Sequence, residues 1–155
     1  MNRKQVIVLA IVVIMLLIGI FVSRLVISGR ATQTQQKFDV TKENLGAFLQ
    51  ITSLIKELPE DARISFKTYN FDSGIRTWEK FYILTKGKVY ESDEDNVDAV
   101  VFLHSKYISG LGINFCQTIK EAKSKGDFGF EIKKSKAGLL WKYRGMISYK
   151  KCFGF

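Results

Sequence analysis

Residues 97–112 read VDAVVFLHSKYISGLG, and their reading decides the rest of the chain. The continuous apolar run 99–103 (AVVFL) predicts a strand at a central position in a sheet. Residues 104–111 then predict a short helix, punctuated by Gly110 and Gly112. Ile113 or Asn114 opens a second helix with Phe115, Ile119 and Ala122 on one face, and Gly126 stops it. His104, the single histidine, ends the strand and is read as a structural residue.

Upstream, Thr41 is a good N-cap, with Asn44 where a capping box has Glu or Gln. Leu45, Phe48, Leu49, Thr52 and Ile55 recur at helical spacing, so residues 42–57 predict one amphipathic helix, ended by Pro59. In 63–69, Ile64 and Phe66 alternate with polar residues, which predicts a strand. Residues 70–74 form a turn, 77–84 (TWEKFYIL) a second strand, and Gly87 a bend before 88–90. The block 91–98 (ESDEDNVD) carries five acids and no base and reads as a solvated loop; its spacing does not match a calcium-binding loop. Downstream, Phe128, Phe130 and Ile132 share one face of 127–133. Leu139, Trp141, Tyr143 and Ile147 alternate again across 139–147, so the pair predicts a C-terminal hairpin around a turn at 135–138. The expected order is helix, three strands, two helices, two strands.

At the other end, residues 6–22 are 17 consecutive apolar residues. Roughly 20 helical residues cross a ~30 Å hydrocarbon core. Residues 5–28 meet that length if Arg24 extends its charge to the interface. Residues 1–28 are therefore read as a transmembrane anchor in the lipid bilayer, 29–40 as a juxtamembrane linker and 41–155 as the folded domain. The competing reading, a cleaved signal peptide, has only a weak site at Gly29-Arg30-Ala31. Basic residues flank the span almost equally, and the short leader favours a domain on the extracytoplasmic side.

The composition excludes several chemistries. One histidine and two separated cysteines cannot build a zinc site at the usual spacings. There is no G-x-G-x-x-G, Walker A or G-x-S-x-G motif, and no apolar setting for a carboxylate pair. The chain is thus read as non-enzymatic, with no metal and no cofactor. Cys116 and Cys152 either pair, in an exported domain, or stay free in a reducing compartment. Residues 120–151 carry ten Lys and Arg against three acids. The interleaved aromatics lie on the strand face opposite the lysines, which speaks against nucleic acid. Anionic lipid headgroups suit this basic region better.

A family resemblance runs through the same residues. Gly87-Lys88-Val89 precedes the acidic loop. Val97-Asp98-Ala99 leads into the central strand, Ile108-Ser109-Gly110-Leu111 closes the short helix, and Lys125-Gly126-Asp127 opens the late strand. Over about residues 40–148 this resembles the sterol carrier protein-2 (SCP-2-like) domain. The resemblance implies an α+β fold with a mostly antiparallel, about five-stranded sheet covered by helices. It also implies an apolar tunnel for a sterol or fatty acyl chain, and no catalysis. By position, Phe102, Ile108, Leu111, Phe115, Ile119, Phe128 and Phe130 would line that tunnel. The strand that usually precedes the late turn is missing here or absorbed into the helix 113–124, and neither a cysteine pair nor an anchor is typical of the family. The expected function is a single-pass, membrane-anchored domain that binds a lipid or other apolar ligand. The alternative is an anchored structural, assembly or protein-interaction domain with a filled core, of pilin-like or secretion-accessory type.

Overall fold

The structure is a computed structural model and describes residues 38–153. The expected anchor 1–28, and the linker 29–40 apart from its last three residues, lie outside the described residues. Among the described residues, no helix is long and apolar enough to cross a membrane.

The described chain begins with two short helices, α1 (Leu45–Ile51) and α2 (Ser53–Glu57). The single helix expected over 42–57 is therefore broken, at Thr52. Its backbone is extended, and its hydroxyl donates to the Leu49 carbonyl at 2.7 Å. This is the local competition that Thr offers a helix. At the start, Asn44 does the work of a capping box: its Oδ1 accepts from Thr41 N at 2.8 Å while Asn44 N donates to Thr41 Oγ1 at 3.4 Å.

The sheet strands are β1 (Ile64–Asn70), β2 (Thr77–Thr85), β3 (Lys88–Glu91), β4 (Ala99–His104) and β5 (Phe128–Ile132). They lie in the order β3-β2-β1-β4-β5. β1 and β4 are parallel; the other pairings are antiparallel. The apolar run 99–103 thus sits inside the sheet, as its composition predicts. Alternation sorts the two faces. Ile64, Phe66, Tyr82, Leu84, Val101 and Leu103 join the helices in one core. Lys67, Tyr69, Trp78 and Phe102 gather on the other side.

A 3-10 turn (Ser105–Tyr107) leads from β4 into α3 (Ile108–Ser124). α3 consists of two arms, because Asn114 has φ −152° and ψ 88°. Asn114 Oδ1 accepts from Gln117 N at 3.2 Å and starts the second arm. The arms fold back on one another: a Cβ at Gly110 would lie 2.8 Å from Thr118 Oγ1. The two helices expected from the sequence are these two arms.

The C-terminal hairpin does not form. Residues 136–142 are helical, α4 (Lys136–Lys142), with Ser135 Oγ accepting from Gly138 N at 3.2 Å. A 3-10 turn (Arg144–Tyr149) and α5 (Lys150–Phe153) follow. The two-residue period of Leu139, Trp141 and Tyr143 was outweighed by a tertiary requirement. Lys142 and Tyr143 both reach Asp98. Consecutive strand residues point to opposite faces, so only a helical or turn backbone lets neighbours share one carboxylate. The fifth strand is instead Lys88–Glu91, on the sheet edge against β2.

Candidate functional site

Four of the seven expected lining residues, Ile108, Leu111, Ile119 and Phe128, are buried together between α3 and the sheet, and half-buried Phe115 packs against them. Phe102 is not among them. The register pairs Phe102 with Gly129 and Val101 with Phe130, so Phe102 points away from the helices. Its ring lies over Gly129, where a Cβ would come within 2.4 Å of Phe102 Cζ. Phe130 shares the parity of Phe128 but is 41% exposed, because β5 is the sheet edge. Phe102 thus lies on the opposite face of the sheet from the other expected lining residues, and Phe130 lies at the sheet edge.

The apolar layer is closed by a residue that the sequence reading passed over. Phe153 on α5 lies with its ring centroid 6.5 Å from Phe115 and 6.1 Å from Phe128. A disulfide between Cys116 on α3 and Cys152 on α5, with Cα atoms 4.7 Å apart, holds the tail there. The layer is well filled: Ile108, Leu111 and Ile119 are at most 2% exposed.

The other sheet face carries a cleft of about 220 Å³ whose lining includes Lys67, Arg76, Trp78, Phe102, Glu94 and Glu131. The Arg76 guanidinium lies 4.5 Å from the Tyr69 ring centroid and 5.4 Å from that of Phe102, with Phe71 and Trp78 also within cation–π range. The Tyr69 hydroxyl is buried and lacks a hydrogen-bond partner among the described residues. Burial pushes its pKa up, Asp127 adds to that, and Arg76 and Lys106 oppose it. The acidic block folds toward this face through charge pairs, Lys67 with Asp93 at 2.6 Å and Arg63 with Glu94. It is therefore not simply a solvated loop. His104 caps the 3-10 turn, its Nδ1 accepting from Lys106 N at 3.2 Å, and its ring packs 5.2 Å from Tyr69. Among the described residues, no cluster of three or more His, Cys, Asp or Glu could hold a metal ion.

Asp98 is buried, and three elements meet on its Oδ2. Arg63 N donates at 3.1 Å, Lys142 Nζ at 2.7 Å and Tyr143 Oη at 2.8 Å. Burial alone would raise its pKa; the Lys142, Arg63 and Tyr143 hydrogen bonds hold it below the ordinary value. Tyr143 is pushed well up by burial and by donating to that carboxylate. A signal for Asp98 was available: it is the last acid before an apolar strand, where solvent access ends.

Neither a family model nor a curated protein matches the chain. Among solved structures, it is similar to sterol carrier protein 2 like 2 from Aedes aegypti, at 13% identity and a TM-score of 0.39, covering 63% of this chain and 87% of that one. It is similar to sterol carrier protein domain 2 of Helicoverpa armigera, at 15% identity and a TM-score of 0.41, covering 73% and 85%. A ubiquinone synthesis protein, UbiJ-SCP2, matches at 9% identity and a TM-score of 0.34, covering 68% and 85%. At these scores the likeness carries no argument about what the chain does. The α+β class and the five-stranded mixed sheet stand on the structure itself.

Proposed function

We propose that the chain is a single-pass, membrane-tethered, non-catalytic module that takes an apolar ligand, a lipid or fatty acyl chain, between α3 and β5. Phe153 carries this reading. At Phe115 and Phe128, the apolar layer is covered from outside by the Phe153 ring on a four-residue helix. Phe153 follows the Cys152 link, so its ring can swing aside by side-chain rotation while the disulfide and the sheet stay in place, which gives an apolar chain a way in. Apolar lining with few polar groups is what an acyl ligand requires. The apolar run 6–22 supplies the tether, and a disulfide suits an oxidising, extracytoplasmic compartment.

The full chain, reconstituted in nanodiscs, should bind a fluorescent fatty acid at one saturable site. Phe115→Trp should weaken that binding with little change in melting temperature, because a ligand site accepts volume. A second reading is an anchored assembly or protein-interaction domain with a filled core. The near-complete burial of Ile108, Leu111 and Ile119 favours it. On that reading no saturable binding appears, and Phe115→Trp overpacks by about 1–3 kcal/mol.

A further inference from the structure

From Ile132 to Phe155 the sequence holds seven Lys and Arg and no Asp or Glu. Lys142 pairs with Asp98 and Asp61, and Lys133 pairs with Glu131. Lys136 and Arg144 are exposed and form no ion pair among the described residues. In the same stretch Leu140 is 75% exposed, Trp141 73% and Ile147 68%. Of the described large apolar residues, only Ile75 is comparably exposed. This exposure does not come from a loosely attached tail. Lys142 and Tyr143 moor α4 on the buried Asp98 carboxylate, and Lys142 also donates to the Asp61 carbonyl at 2.7 Å. The mooring uses the inner side of α4 and leaves Leu140 and Trp141 outward. Arg144 stacks on Trp141 with its guanidinium 4.2 Å from the ring centroid.

Outward Trp, Leu and Ile beside unpaired cations, in a stretch that holds no acid of its own and whose Lys142 takes up the neighbouring Asp61 and Asp98, is the chemistry of a membrane interface. Trp sits at headgroup depth, aliphatic side chains reach the acyl boundary, and Lys and Arg meet lipid phosphates. We propose that residues 136–149 are a docking surface for an anionic bilayer, with Leu140, Trp141 and Ile147 in the interface and Lys136 and Arg144 on the phosphates. This deepens the membrane-tethered reading and draws on it for the choice of partner. Fifteen residues separate Val22 from Phe38, at most about 55 Å of extended chain, so a bilayer-spanning run 6–22 keeps the domain within that distance of the bilayer surface.

The test uses the full chain carrying Trp78→Phe, which leaves Trp141 as the single tryptophan. It is reconstituted in vesicles of phosphatidylglycerol with phosphatidylcholine, or of phosphatidylcholine alone. In the anionic vesicles Trp141 emission should shift to the blue and be quenched by doxyl-labelled lipid. Quenching should fall several-fold in phosphatidylcholine or in high salt. Leu140→Asp with Ile147→Asp should abolish it and leave the melting temperature unchanged, since both side chains face solvent. Unquenched emission in anionic vesicles overturns the proposal. So does burial of Trp141 only as protein concentration rises, which would mark a second copy as the occupant. Carbonate extraction reports the tether separately. A chain that resists extraction but is unquenched loses the docking surface and keeps the tether. A chain that is extracted, yet returns to anionic vesicles with Trp141 quenched, loses the tether and keeps the docking surface.

Discussion

Asp98 shows how much one side chain organises. It joins the start of β1, the start of β4 and the end of α4 through three hydrogen bonds. Asp98→Ala leaves Lys142 and Tyr143 without their buried acceptor and should cost about 3–5 kcal/mol in urea unfolding. Its folded pKa lies below the ordinary value, so its contribution is complete above about pH 4 and is lost as pH falls through the lower, folded value. Asp98→Asn should therefore flatten the acid limb of the stability profile; an unchanged limb would assign acid unfolding to other carboxylates. Two glycines mark close approaches. A Cβ at Gly112 would fall 1.8 Å from the Phe38 carbonyl oxygen, and one at Gly129 within 2.4 Å of Phe102 Cζ. Backbone yields less readily than a ring, so Gly112→Ala should lower the melting temperature more than Gly129→Ala. The latter should fall in the overpacking range of about 1–3 kcal/mol. Neither glycine's role was readable along the chain, and for Asp98 only its burial was signalled, not its partners. Each depends on a partner between 27 and 74 residues away.

Among the elements, the terminal helix α5 depends most on a covalent link. It contributes Phe153 to the apolar layer and is tied to α3 by Cys116–Cys152, across a sequence separation of 36. Closing a loop of that length is worth about 3–4 kcal/mol in the chain-entropy model. Cys152→Ser should lower stability by about that amount, and reductant should act on the parent but not on the variant. Equal unfolding midpoints for parent and variant would show that the tail adds little. Periodicity made the helices at 42–57 and 113–124 and the strands at 63–69 and 127–133 legible, and composition did the same for the strands at 77–84 and 99–103. The break at Thr52 was not, because a local side-chain bond decided it. α4 was misread because Leu139 and Tyr143 satisfy both a period of two and a helical spacing of four. Contact with Asp98 chose between them.

For the whole molecule, the proposed tether and the described domain make separable predictions. Val13→Asp places a charge in the middle of the apolar run and should cost about 2.5–3.5 kcal/mol of insertion free energy. It should move the chain toward the soluble fraction, while near-ultraviolet circular dichroism of the domain stays as in the parent. Loss of the domain spectrum as well would mean that the two parts depend on each other. Parent protein that already washes off with carbonate would remove the anchor reading altogether.

By itself, the sequence determined the α+β class, the interior place of the 99–103 strand, and the presence of helices before and after it. These follow from local periodicity and composition, which act within a few residues. Only the tertiary structure decided which way Phe102 faces, whether 139–147 is helix or strand, and what covers Phe115 and Phe128. A one-residue step in register sends a side chain to the opposite face of a sheet, and register is set by pairing with a distant strand. The same holds for Asp98 and Phe153: their partners come from other parts of the chain, and composition carries no information about which distant groups will meet.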